Sequence, residues 1–74
     1  MVEPEIIQSL IEKSIPDSEV TVEDQTGGGD HFQVIVFSPT FKGKTIIQQH
    51  QMVHVALESL KDQIHALIIR TRAL

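Results

Sequence analysis

The chain has 74 residues, of which 41% are hydrophobic and 22% charged, with a formal net charge of −4 and no cysteine. Its length allows one small core that buries only about 60% of the unfolded surface, so stability is marginal unless a partner or cofactor adds to it. The composition excludes the disordered and membrane classes, and the missing cysteine excludes disulfides, thiolate catalysis and a self-sufficient thiolate metal site, so sulfur ligands must come from outside.

The acidic start from Met1 to Glu5 lacks the basic flank of a signal peptide, and no later segment approaches the roughly 20 apolar residues of a membrane span. A cytoplasmic protein is expected, with residues 1–74 as a single domain. Ile6, Ile7, Leu10, Ile11 and Ile15 form one apolar helical stripe. Pro4 suits its first turn and Pro16 ends it. Glu19 to Glu23 alternates polar with apolar and predicts a half-buried strand with Val20 and Val22 inward. After the break at Thr26-Gly27-Gly28-Gly29-Asp30, the run from His31 to Phe37 is apolar on both faces except at Gln33, as in a central strand, and the short glycine connection makes the two strands an antiparallel hairpin. Thr45 is a candidate N-cap for a helix reaching Leu60, in which Ile46, Val53, Leu57 and Leu60 cluster with Ile47 and Ala56 flanking. Ile64 to Arg70 predicts a third strand.

The order α-β-β-α-β defines an α+β fold with a three-stranded mixed sheet. The second strand, the crossover helix and the third strand form a β-α-β unit, so those strands run parallel if adjacent and start at the same sheet edge. His31 opens one and His65 lies just inside the other. Their backbones are then on the order of 5 Å apart, one strand spacing.

Charge is unevenly distributed along the chain. Residues 1–30 carry eight acids and one lysine, a net −7, whereas residues 31–74 carry five bases and two acids, a net +3. The second half suits an anionic partner. Lys42 and Lys44 stand just before the second helix, either as solvated turn residues or as contacts to such a partner surface. His65, with Leu67 and Ile69 on its own side, is either a partly buried histidine hydrogen-bonded to a loop or a metal ligand. His31 either caps the glycine loop or pairs with His65. His50 and His54 share a helix face as packing residues, and no glutamate follows His50 as a metalloprotease motif requires. The triple glycine suits a mobile hairpin loop better than a phosphate cradle, because no helix or lysine-threonine pair follows it. No nucleophile-base set, paired-carboxylate cleft or cofactor fingerprint is present, so an enzyme is not expected.

Phe41-Lys42-Gly43-Lys44, Gln48-Gln49-His50-Gln51-Met52-Val53 and Ile64-His65-Ala66-Leu67 resemble the BolA family, as does the strand His31-Phe32-Gln33-Val34. That family has a phenylalanine-x-glycine-lysine turn, a helix with a histidine and a following valine, and a histidine-alanine pair in its last strand. The resemblance spans roughly residues 5 to 72. It implies a fold similar to the class II K-homology topology, with the helices on one face of the sheet. It also implies a monothiol glutaredoxin as partner and a [2Fe-2S] cluster shared with it and with glutathione, none being held by the isolated chain. His65 matches the family's carboxy-terminal ligand. The loop Gln25 to Asp30 lacks the second cysteine or histidine that members often place there, which makes His31 the nearest substitute. The chain also ends at Leu74 without the threonine-proline and tryptophan tail common in the family. Alone, the protein is expected as a monomer or weak homodimer with no membrane partner. The alternative function is a nucleic-acid-binding transcriptional regulator, although Phe41 to Lys44 lacks the two-glycine clamp of RNA-binding K-homology domains. A cluster-free adaptor that docks through the sheet edge is a third reading.

Overall fold

The computed structural model describes residues 2–74. Helix α1 (Pro4–Ser14) opens on proline where a missing N–H leaves no bond unmade, and it ends as Ile15 turns extended ahead of Pro16. Ile7, Ile11 and Ile15 are buried. Ile6, expected in the same stripe, is half exposed, because it sits about 100° round the helix from Ile7 and falls off the buried arc.

Strands β1 (Glu19–Asp24) and β2 (His31–Ser38) pair antiparallel from Glu19 opposite Phe37 to Asp24 opposite Phe32. Their connection is bridged by hydrogen bonds to Asp24. The Asp24 carboxylate accepts the Gly27 and Gly29 N–H groups, each at 2.9 Å, and Gly29 is buried with φ 75°, a conformation side chains resist. The Gly29 carbonyl in turn accepts the Val2 N–H at 3.0 Å.

A 3₁₀ turn at Pro39–Phe41 follows β2 and buries Phe41. Helix α2 (Ile46–Ala56) begins with a reciprocal capping box, Thr45 Oγ1 accepting the Gln48 N–H while Gln48 Oε1 accepts the Thr45 N–H. The helix stops at Ala56, before the expected Leu60, because the Leu57 N–H is shared between the Val53 and His54 carbonyls and the last turn tightens into a 3₁₀ segment at Glu58–Leu60. Its inward arc also differs from the expected one. Val53 and Leu57 are buried as expected, but Ile46 and Ile47 are 58% and 71% exposed, and Gln49 is buried instead. Gln49 fits inside because both ends of its amide are used: Nε2 donates to the Lys44 carbonyl at 3.0 Å and Oε1 accepts from Thr71 Oγ1 at 2.6 Å.

Strand β3 (Ala66–Ala73) is parallel to β2, from Ala66 opposite His31 to Ala73 opposite Ser38, so the sheet order is β1-β2-β3. It starts two residues later than expected and runs three residues further, because it follows the full length of β2. Phe32, Val34 and Val36 point from β2 into the core made by Ile7, Ile11, Val53 and Leu57. Both helices therefore cover one face. Along β2 the alternate residues His31, Gln33, Ile35 and Phe37 are half-buried on the other face. No described helix is long and apolar enough to cross a membrane.

A candidate ligand pair at the start of the parallel strands

Parallel pairing brings the first residues of β2 and β3 to one end of the sheet. The Asp30 carbonyl accepts both the His65 N–H at 2.8 Å and the Ala66 N–H at 3.2 Å, which holds the two strand starts together. The His31 and His65 rings stack there, with centroids 6.1 Å apart and planes inclined by 20°. His65 is the last residue of the connection and lies outside the strand in which it was expected. Its side chain is exposed, and its ring has no hydrogen-bond partner among the described residues. The bond to the loop comes from its backbone.

Asp30 was not singled out by the sequence pattern, yet it organises this corner. Its Oδ1 lies 2.8 Å from His31 Nδ1, with side-chain exposures of 37% and 43% for the two residues, and it accepts from Thr26 Oγ1 at 3.4 Å. The His31 hydrogen bond holds the Asp30 carboxyl below its usual range, the positive potential of His31 and His65 and the Thr26 bond add to this, and desolvation opposes it. An ionised carboxylate can only accept, so the hydrogen between the two groups belongs to His31 Nδ1, and Nε2 is the ring nitrogen that Asp30 does not engage. The available signal was an acid directly before the strand-opening histidine. It is weak, because adjacent residues face each other only when one of them lies outside the strand.

An open cleft of about 400 Å³ adjoins His65, with His54, Lys61 and Ile64 in its wall. His54, expected to pack, is exposed in that cleft, whereas His50 is half-buried. Lys61 pairs with Glu58 at 3.0 Å on the surface. Lys42 and Lys44 are both exposed and lie beyond Ser38, at the far end of β2 from the histidines. That is about 25 Å for eight strand residues. The fold does not bring the lysines to the imidazole pair. No three histidine, cysteine, aspartate or glutamate side chains among the described residues are grouped to hold a metal ion.

A family model for BolA-like proteins matches residues 7–74. Protein BOLA2 of Arabidopsis thaliana is 37% identical over 71 residues, covering 95% of this chain and 76% of its own length. The structure of a BolA protein homologue from Coxiella burnetii superposes with a TM-score of 0.82 at 36% identity, covering 99% of this chain and 92% of that one. A Bol-like protein from Babesia bovis, at 24% identity and a TM-score of 0.87, covers 99% of this chain and 86% of its own and shares the fold. With an α-β-β-α-β order, a mixed three-stranded sheet and a family match over almost its whole length, this chain belongs to the BolA family.

Proposed function

We propose that this protein is a non-enzymatic partner of a monothiol glutaredoxin and contributes His65 and His31 to a [2Fe-2S] cluster shared between the two proteins and glutathione, in iron-sulfur handling or iron and redox regulation. The observation that carries this reading is the stacked His31–His65 pair at the open end of the sheet. Family membership supplies the class of partner.

The donor chemistry fits. A [2Fe-2S] cluster takes four protein-type ligands, and two imidazoles on one iron are an accepted half of such a set. At this corner the chain offers two imidazoles, and it has no cysteine anywhere, so the sulfur donors would come from the partner and from glutathione. The Asp30 carboxylate orients the His31 ring through Nδ1 and leaves Nε2 to bind. The His65 ring is exposed and unrestrained by hydrogen bonds, so it can rotate the few ångströms that a common metal requires. When bound, the cluster supplies an electron-transfer or cluster-transfer centre; the residues of this chain hold and orient it.

Anaerobic reconstitution with a monothiol glutaredoxin and glutathione, followed by visible absorption and circular dichroism, tests the assignment. The wild-type pair should give a mixed-complex spectrum distinct from that of the glutaredoxin alone. His65→Ala should abolish the difference and His31→Ala should weaken or alter it. An unchanged spectrum in His65→Ala refutes the ligand role. Retained binding of the metal-free proteins with both histidines replaced would favour the cluster-free adaptor.

A further inference from the structure

The open face of the sheet is covered by nothing in the described chain, and its charge is ordered. Strand register places its residues in rows that run from β1 through β2 to β3. One row is Glu19, Phe37 and Arg72, and the next is Thr21, Ile35 and Arg70. Glu23, Gln33 and Ile68 follow, with Ile68 49% exposed. The face thus has an acidic edge, an apolar centre and a basic edge. The acidic and basic halves of the sequence meet there as opposite borders of one surface. None of Glu19, Glu23, Arg70 and Arg72 forms an ion pair among the described residues, because two strand spacings and the central side chains separate them.

We infer that this face is self-complementary and is the contact through which two copies of the chain associate, sheet on sheet. Turning a second copy by 180° about an axis parallel to β2, in the plane between the two faces, sets each β1 over the partner's β3 and leaves positions along the strands unchanged. Glu19 of each copy then faces Arg72 of the other, and Phe37 and Ile35 meet their own counterparts on the axis. Thr21 lies under the facing Arg70, with Glu23 diagonal to it. A two-fold axis across the strands would set acid over acid and arginine over arginine, so charge selects the first arrangement. Aligned sheets of this kind pack about 10 Å apart, a gap that side chains of this size fill.

The contact is small. Three strands about 4.8 Å apart and roughly 25 Å long make a face below the 1,200–2,000 Å² total burial typical of stable complexes, so the dimer forms at high protein concentration and dissociates on dilution. His31 shares this face at its rim, opposite Ala66, outside the rows that carry the charges.

Sedimentation velocity over a concentration series, from about 10 μM to about 1 mM, tests the inference on the full chain. The wild type should pass from monomer to dimer within that range and shift back toward monomer in high salt. Arg72→Glu sets two like-charge pairs across the axis and should raise the dissociation constant by about tenfold or more. Adding Glu19→Arg to that variant exchanges the partners and should restore association. Both positions are exposed, so circular dichroism should show an unchanged fold. A wild type that stays monomeric throughout overturns the inference, as does a dimer indifferent to Arg72→Glu or unrescued by the exchange. Isotope-filtered contacts between labelled and unlabelled copies should fall at Phe37 and Ile35. Contacts at the exposed Ile46, Ile47 and Val55 of α2 would move the interface to the helix and refute the sheet-face arrangement.

Discussion

On the covered side of β2, Phe32, Val34 and Val36 are enclosed by α1 and α2, while on the open side, one residue out of step, Gln33, Ile35 and Phe37 are half-buried between the acids of β1 and the arginines of β3. A single eight-residue strand therefore contributes to two surfaces with different physics. Where helices close over the sheet, energy comes from apolar area removed from water and from close packing, and truncation leaves a cavity. Where nothing closes over it, the same β-branched and aromatic residue types contribute little to the isolated fold and remain available for recognition. Period-two alternation separates stability from binding residue by residue.

The sharpest test of that separation sets Phe32→Ala against Ile35→Ala. Phe32 is fully buried in the centre of the core, so its truncation should cost about 3–5 kcal/mol. That approaches the whole stability of a domain this small, and the variant should be largely unfolded by circular dichroism at 25 °C. Ile35→Ala removes a similar kind of side chain from the open face and should lower the urea midpoint by an amount worth about 1 kcal/mol or less. Comparable losses in the two variants would mean that the open face is covered in solution, and dilution would then show whether a second copy covers it.

Next in size is Gln49→Ala. This amide is, with Ser38, one of two buried polar side chains among the described residues, and it joins the start of α2 to β3 through the Lys44 carbonyl and the Thr71 hydroxyl. Truncation leaves both partners without it in a partly closed site, at a cost of about 1–3 kcal/mol by urea denaturation. Thr71→Val made in the Gln49→Ala background should add less than Thr71→Val alone, because the shared bond is already gone. On the outer side of the same helix, Ile47→Ser should change stability by no more than about 0.5 kcal/mol, since Ile47 is 71% exposed.

Those two α2 residues also mark where the sequence stops being readable. The alternation of Val20 and Val22, the apolar run of β2 and the proline boundaries of α1 are local signals, and they place the elements and the parallel pairing correctly. A helical wheel shows which residues share a face, but not which arc turns inward. In α2 the inward position that an isoleucine was expected to take belongs to Gln49, whose acceptance depends on a hydroxyl 22 residues away. The candidate site was half legible in the same sense. Chain order predicted that His31 and His65 converge, because a parallel β-α-β unit must start both strands at one edge. The loop fold that turns Asp30 back onto His31 rests on Asp24 gathering the glycine N–H groups, a tertiary arrangement that no periodicity announces.

Asp30 supplies the smallest effect and the finest distinction between the regions, because its carboxylate sits at the solvent-exposed corner where the open face meets the histidine pair. Its pKa is lowered, first by the His31 hydrogen bond, so the ionised form is favoured in the folded chain relative to the unfolded one. The sign follows from linkage: the contribution is present above the unfolded-state pKa and is lost as pH falls through the lower folded-state value, so it is constant around neutrality and fades only in acid. Carbon-detected NMR titration of the aspartate carboxyls should therefore find Asp30 titrating below the ordinary aspartate range, and His31→Ala should move its midpoint upward. The stability difference between wild type and Asp30→Asn should narrow across the same acid window. A midpoint unmoved by His31→Ala would show that the carboxylate is not bonded to the imidazole in solution. The His31 tautomer would then no longer be set by Asp30, and Nε2 would lose its advantage over Nδ1 as the atom offered to a metal.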